Sequence, residues 1–204
     1  GYGIHASTGS DVTVKGGTIK VAGGRGDQPY AAYGEAGSSL DISGTNIVVS
    51  GDYDHGVGVK QNSLLKLTNV SIDVTGVNAN GIWVQESSSA DIKDTVVTTR
   101  SNRGTGVQIW NNSAVQMDNV RITTYGDVSS YGELGHGVRV IGGGAADPTA
   151  AAISVIKNSV IKTFGRGTAG VMADNGSKAQ LIDTDVETSG VNAQGLYAAI
   201  NSSV

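Results

Sequence analysis

A unit of 25 residues recurs along this chain and leaves few architectures open to it. Gly56-Val57, Gly81-Ile82 and Gly106-Val107 open three successive copies at that spacing. Gly170-Val171 and Gly195-Leu196 are again 25 apart, and Ala31-Ala32 lies 25 residues before Gly56. Gly3-Ile4 and Gly137-Val138, with insertions nearby, complete seven full copies and an eighth begun. A fixed period of this length is the signature of units that bury their apolar faces only against their neighbours.

The internal grammar of one copy fixes what is stacked. With the opening residue at position zero, positions one and three are apolar (Val57 and Val59, Ile82 and Val84, Val107 and Ile109, Val138 and Val140). Positions nine and eleven are mostly apolar as well (Leu40 and Ile42, Leu65 and Leu67, Val115 and Met117), and so are positions sixteen and eighteen, with Thr at some of them (Ile47 and Val49, Ile72 and Val74, Ile122 and Thr124). Position seven is Ser in seven copies, position thirteen Asn or Asp in five, and position twenty Gly in six of seven. Period-two alternation in three short segments means three strands per copy, not helices. The predicted fold is therefore all-β: a right-handed parallel β-helix of about 7–8 coils, each of ~25 residues, with coils roughly 4.8 Å apart. Residues 1–204 are expected to form one such unit. Ser and Asn/Asp at the corners are expected to satisfy backbone groups through their side chains. Gly at position twenty is expected to supply a positive φ or a close approach of coils.

Composition narrows the functional classes. With no Cys there is no disulfide framework, thiolate zinc site or Cys nucleophile. A net charge of -4 argues against a nucleic-acid binder. No run approaches 18 apolar residues, and no basic-then-apolar leader opens this stretch. Calcium-binding nonapeptide, EF-hand and P-loop patterns are all missing, so no metal and no cofactor is expected.

"SADIKDTVVTT" (89–99), "SAVQMDNVRITTYG" (113–126) and "SKAQLIDTDVETSG" (177–190) carry the repeat most clearly. This pattern resembles the passenger domains of pertactin-like autotransporters, over the whole chain. The resemblance implies a type V secretion product on, or released from, a Gram-negative outer membrane, acting as an adhesin or self-association factor. It implies as partners a host surface protein, matrix or glycan, or another copy of the chain. Membrane attachment would come only through a C-terminal β-barrel outside this stretch. A chain without Cys fits threading through a narrow pore. The series opens at the start of one copy and stops inside another, as expected of a fragment of a longer passenger. The other non-enzymatic reading is a passive stalk.

Insertions are where a regular scaffold acquires function. They fall near residues 24–30, 127–136 and 142–151. The first contains Arg25-Gly26-Asp27, which matches an integrin-recognition tripeptide; in a Gly-rich chain, chance or turn chemistry accounts for it first. Position two reads His5, Tyr33, Gly58, Trp83, Gln108, Arg139, Met172 and Tyr197 down the copies, and Trp110 stands at position four. Trp83 and Trp110 thus point outward from one sheet on adjacent coils. With Arg139 and Tyr131 of the second insertion they are the candidate ligand-binding residues, suited to stacking on sugars or anchoring a protein. Scattered packing aromatics, or burial under the 127–136 loop, are the competing accounts. Gly135-His136-Gly137-Val138 looks like the Gly-His-Gly motif of polygalacturonases. However, Asp118 and Asp127 do not form that family's Asp motifs, and His136 occupies the corner position also held by His55. No enzymatic activity is expected and no catalytic residue is assigned.

Overall fold

The computed structural model describes residues 1–23, 29–100, 102–127, 135–143 and 151–204. Its twenty-two strands, numbered β1–β22 in chain order, form three parallel sheets and wind as a right-handed β-helix. The first coil shows the plan: β1 (Ile4–Ala6), β2 (Asp11–Lys15) and β3 (Thr18–Val21) each begin a different sheet. The first sheet has eight strands: β1, β4 (Tyr30–Gly34), β7 (His55–Val59), β10 (Ile82–Val84), β13 (Val107–Trp110), β16 (Val138–Ile141), β19 (Ala169–Asp174) and β22 (Gln194–Ala198). The second runs from β2 to β20 (Lys178–Ile182) and the third from β3 to β21 (Asp185–Thr188), seven strands each.

The register stacks equivalent repeat positions. Ile72, Val97, Ile122, Ile161 and Val186 pair in succession through the third sheet. Leu40, Leu65, Ala90 and Val115 do so in the second. Leu40, Ile42, Ile47, Leu67, Ile92, Ile109, Ile122 and Ile161 are fully buried, and each such side chain contributes about 1.5–3 kcal/mol of transfer free energy. A one-residue slip would turn every ladder to solvent, so the alternation locks the register.

The corners divide their work differently from the expectation. Position seven behaves as expected: the Ser38 N–H donates to Ser63 Oγ (3.2 Å), Ser63 N–H to Ser88 Oγ (3.1 Å) and Ser88 N–H to Ser113 Oγ (3.3 Å). Position thirteen does not. Asn69, Asp94, Asn119, Asn158 and Asp183 all lie in the left-handed region, with φ between 47° and 54°. Their residue type is set by backbone conformation, because Asn and Asp tolerate positive φ better than other side-chain-bearing residues. Where their side chains bond, they bond to carboxylates: Asn119 Nδ2 to Asp94 (2.6 Å) and Asn158 Nδ2 to Asp118 (2.8 Å). The backbone at this corner is served instead by hydroxyls one residue later, as where Val120 N–H donates to Ser159 Oγ (3.0 Å).

Position twenty splits between the two roles. Gly23 has φ of 81°, whereas a Cβ on Gly76, Gly165 or Gly190 would overlap the carbonyl oxygen of Gly51, Gly126 or Gly165 respectively. There the coils touch backbone to backbone.

Candidate functional site

Outward side chains of the first sheet gather into a continuous face. The pairs Tyr33–Gly58, Gly58–Trp83, Trp83–Gln108, Gln108–Arg139 and Arg139–Met172 run down it in register. The absent side chain at Gly58 decides the local packing. The ring of Tyr30 lies over that glycine, where any Cβ would overlap it. Tyr30 stacks on Tyr33 at 4.5 Å and meets His55 at 4.9 Å. His55 in turn packs nearly perpendicular to Trp83 at 5.1 Å, and Trp83 stacks with Trp110 at 6.1 Å and 17°. Each aromatic contact adds about 0.5–1.5 kcal/mol beyond area burial. Trp110 is 36% exposed and Trp83 only half-buried, so the pair is less open than freely projecting rings would be.

Residues just before position zero form a second ladder that the frame of alternating strands had hidden. His55 Nδ1 accepts the Asn80 N–H (2.9 Å), Asn80 Oδ1 accepts the Thr105 N–H (3.0 Å), and Thr105 Oγ1 accepts the Gly135 N–H (3.2 Å). His136 Nδ1 accepts the Ala169 N–H (2.9 Å). His136, buried and used as a backbone acceptor, is therefore a corner residue, which accounts for the Gly-His-Gly motif by scaffolding. Asp127 is likewise structural, accepting the Arg166 N–H (2.7 Å).

Between these ladders lies a groove of about 510 Å³. Tyr53, His55, Asn78, Asn80, Trp83, Gln108, Trp110, Arg139, Ile141 and Asn175 line it. It therefore brings together Trp83, Trp110 and Arg139 of the sequence candidates. Tyr131, the tripeptide Arg25-Gly26-Asp27 and most of the 127–136 and 142–151 insertions lie outside the described residues. Arg139 and Gln108, which alternate outward in the sequence frame, are buried (8% and 4% exposed). The Asn80 Nδ2 donates to Gln108 Oε1 (3.2 Å), which fixes the orientation of that amide. Among the described lining residues there is no carboxylate, and no cluster among the described residues is suited to a metal ion.

His55 is 2% exposed, and its tautomer follows from its bond: with Nδ1 accepting, the proton sits on Nε2. Burial pushes its pKa down from 6.5 to about 4. The folded state thus resists a proton that the unfolded chain takes up near 6.5. Stability from this group is complete above that pH and is lost as pH falls towards 4, by up to about 3 kcal/mol. His55→Asn, which offers an acceptor to the Asn80 N–H without titrating, should flatten the fall in urea midpoint between pH 7 and pH 4.5; an equally steep fall in the variant would assign it to other groups.

Tyr53 is one of the lining residues that no sequence pattern marks. Its φ is 62°, a left-handed conformation that is rare for a bulky side chain. Equivalent turns carry Asn78, Arg103, Gly167 and Asn192 at φ of 56°, 65°, 69° and 57°. Three of these four are Asn or Gly, which adopt this conformation most readily, and Arg103 shows that the turn also accepts a long side chain. Tyr53→Asn should raise stability by about 1 kcal/mol in urea unfolding. A variant that is no more stable than wild type would show that the turn is not strained.

The profile of the right-handed β-helix region matches residues 55–204, most of the chain and every named lining residue of the groove but Tyr53. The chain belongs to the right-handed β-helix family. Members of this family include both enzymes and non-enzymes, so membership leaves the function of the groove to its own chemistry. A comparison with curated proteins found no match.

Proposed function

We propose that this β-helix is a binding domain and that its ligand is a saccharide held along the groove of the first sheet. The observation that carries the reading is the lining itself. Two tryptophans and a tyrosine stand among amides that are themselves pinned by inter-coil hydrogen bonds, with no carboxylate pair among the described lining residues. Aromatic faces suit the apolar faces of sugar rings, and fixed amides suit their hydroxyls. Glycoside hydrolysis needs two carboxyl groups flanking the bond, so the groove favours binding without turnover.

In the reading proposed here, the resemblance to pertactin-like autotransporters makes the chain a surface-displayed passenger segment of a Gram-negative bacterium, acting in adhesion to host or matrix glycans. A rigid face repeated along a long passenger would multiply weak contacts into avidity. The test is an array of glycans and matrix proteins probed with the folded domain. A set of saccharide hits supports the reading. Hits confined to proteins or to the domain itself would replace it with protein adhesion or self-association, and a blank array would favour a passive stalk.

A further inference from the structure

Asn followed by Gly occurs twice in the chain, at Asn80-Gly81 and Asn175-Gly176. The pair is chemically labile, because a glycine nitrogen with no Cβ beside it reaches the preceding side-chain carbonyl carbon with little hindrance. The fold treats the two copies in opposite ways. Asn80 is buried, its Oδ1 accepts the Thr105 N–H (3.0 Å) and its Nδ2 donates to Gln108 Oε1 (3.2 Å). The Gly81 N–H donates to the Thr105 carbonyl (3.0 Å), so both the nucleophile and the amide it would attack are held. Asn175 is half-buried in the turn after β19, with φ of 53°. Its own N–H donates to the Asp174 carboxylate (2.7 Å), but among the described residues nothing bonds its side-chain amide. The bond that reaction here must break is that of the Gly176 N–H to the Ile200 carbonyl (2.8 Å). Asn80 and Asn175 both line the groove.

We propose that Asn175 is a self-modification site, at which the groove lining gains a carboxylate as the protein ages. The Gly176 nitrogen bonds to the Asn175 side-chain carbonyl carbon, the bond from that carbon to the amide nitrogen breaks, and ammonia leaves with the Gly176 proton. Water then opens the cyclic imide at either carbonyl, giving aspartate or isoaspartate. Water is the only reagent consumed. Both products add a negative charge to a lining that holds no carboxylate among its described residues, and the isoaspartyl route also adds a methylene to the backbone of the turn. Asn80 stays an amide, because reaching the imide costs it two more hydrogen bonds than Asn175 and should slow it at least about tenfold. This goes beyond the saccharide reading and holds whatever ligand the groove takes.

The experiment is incubation of the folded domain at pH 8.5 beside a sample unfolded in guanidinium chloride, followed by peptide mapping by mass spectrometry. Electron-transfer fragmentation separates isoaspartate from aspartate. In the folded domain the peptide holding Asn175 is expected to exchange amide for acid at least about tenfold faster than the peptide holding Asn80. In the unfolded sample the two should react at comparable rates. Asn175→Gln copies Gln61, which holds the equivalent turn position at φ of 58°, and should stop the exchange there while the domain stays folded by circular dichroism. Equal rates at Asn80 and Asn175 in the folded domain would overturn the proposal. So would an inert Asn175 in the folded domain while the unfolded sample reacts, which would show that the Gly176–Ile200 bond suffices to block it. The same tenfold preference in guanidinium chloride would also overturn it, by assigning the selectivity to local sequence and not to the fold.

Discussion

Gly165→Ala is expected to destabilise the solenoid by about 3 kcal/mol or more, the upper end of what over-packing costs. A Cβ at this position overlaps the carbonyl of Gly126 in the coil before it, and the methyl of Thr168 stands close by. On the other side Gly190 is stacked against Gly165 in the same way. The obstacle is backbone held by sheet hydrogen bonds on either side, so relief requires the coils to part and not a side chain to rotate. Position zero provides the comparison. Ala31 sits there fully buried, so that column accommodates a Cβ in at least one coil. The fourth copy carries Ser101 at position twenty, outside the described residues. The prediction therefore concerns the stretch where glycine meets glycine. Urea unfolding followed by circular dichroism checks it, and a midpoint equal to wild type would show that the coils separate more easily than their hydrogen bonding implies.

The double substitution Trp83→Ala with Trp110→Ala is expected to weaken saccharide binding by roughly 100-fold, in the range of aromatic hot-spot truncations. The fold should survive. Trp110 is 36% exposed and Trp83 half-buried, and the buried ladders at positions one and three lie on the opposite face of the sheet. What the fold loses, besides the area the two rings cover, is the Trp83–Trp110 stack and the contact of Trp83 with His55, about 1–3 kcal/mol together. Trp110→Ala alone separates the roles, because among the described residues Trp110 has its ring contact with Trp83 alone, whereas Trp83 also covers His55. If the rings only pack, Trp110→Ala leaves binding intact; if they hold a sugar, it weakens binding while the unfolding midpoint barely moves.

The coil plan was legible because its signal is periodic. Val57, Ile82, Val107 and Val138 recur with the coil and pair in the register that recurrence implies. The outward ladder through Trp83, Gln108 and Arg139 followed from the same frame. The corner ladder of His55, Asn80 and Thr105 did not, because those residues share no side-chain type. What they share is an acceptor atom for the next coil's N–H, which becomes visible only when the position before each opening residue is read as a column. Turns at positions five and six were equally hidden. Gln61 and Asn62, Glu86 and Ser87, and Asn111 and Asn112 all adopt positive φ, yet only some of them are residues that favour it. Tyr53 was hidden for the same reason, since strain is a property of its backbone and not of its letter. The packing beside His55 turns on an omission, the missing side chain of Gly58, into whose space Tyr30 folds.

Trp83 and Trp110 are the only two tryptophans in the chain, so tryptophan emission reports on the groove alone. Titration of the folded domain with a saccharide that it binds on the array, followed by fluorescence and by calorimetry in parallel, tests the location of the site directly. A saturable change in emission with the same midpoint as the heat of binding is the predicted result. Heat of binding without any change in emission would place the ligand elsewhere on the β-helix and contradict the assignment of the groove.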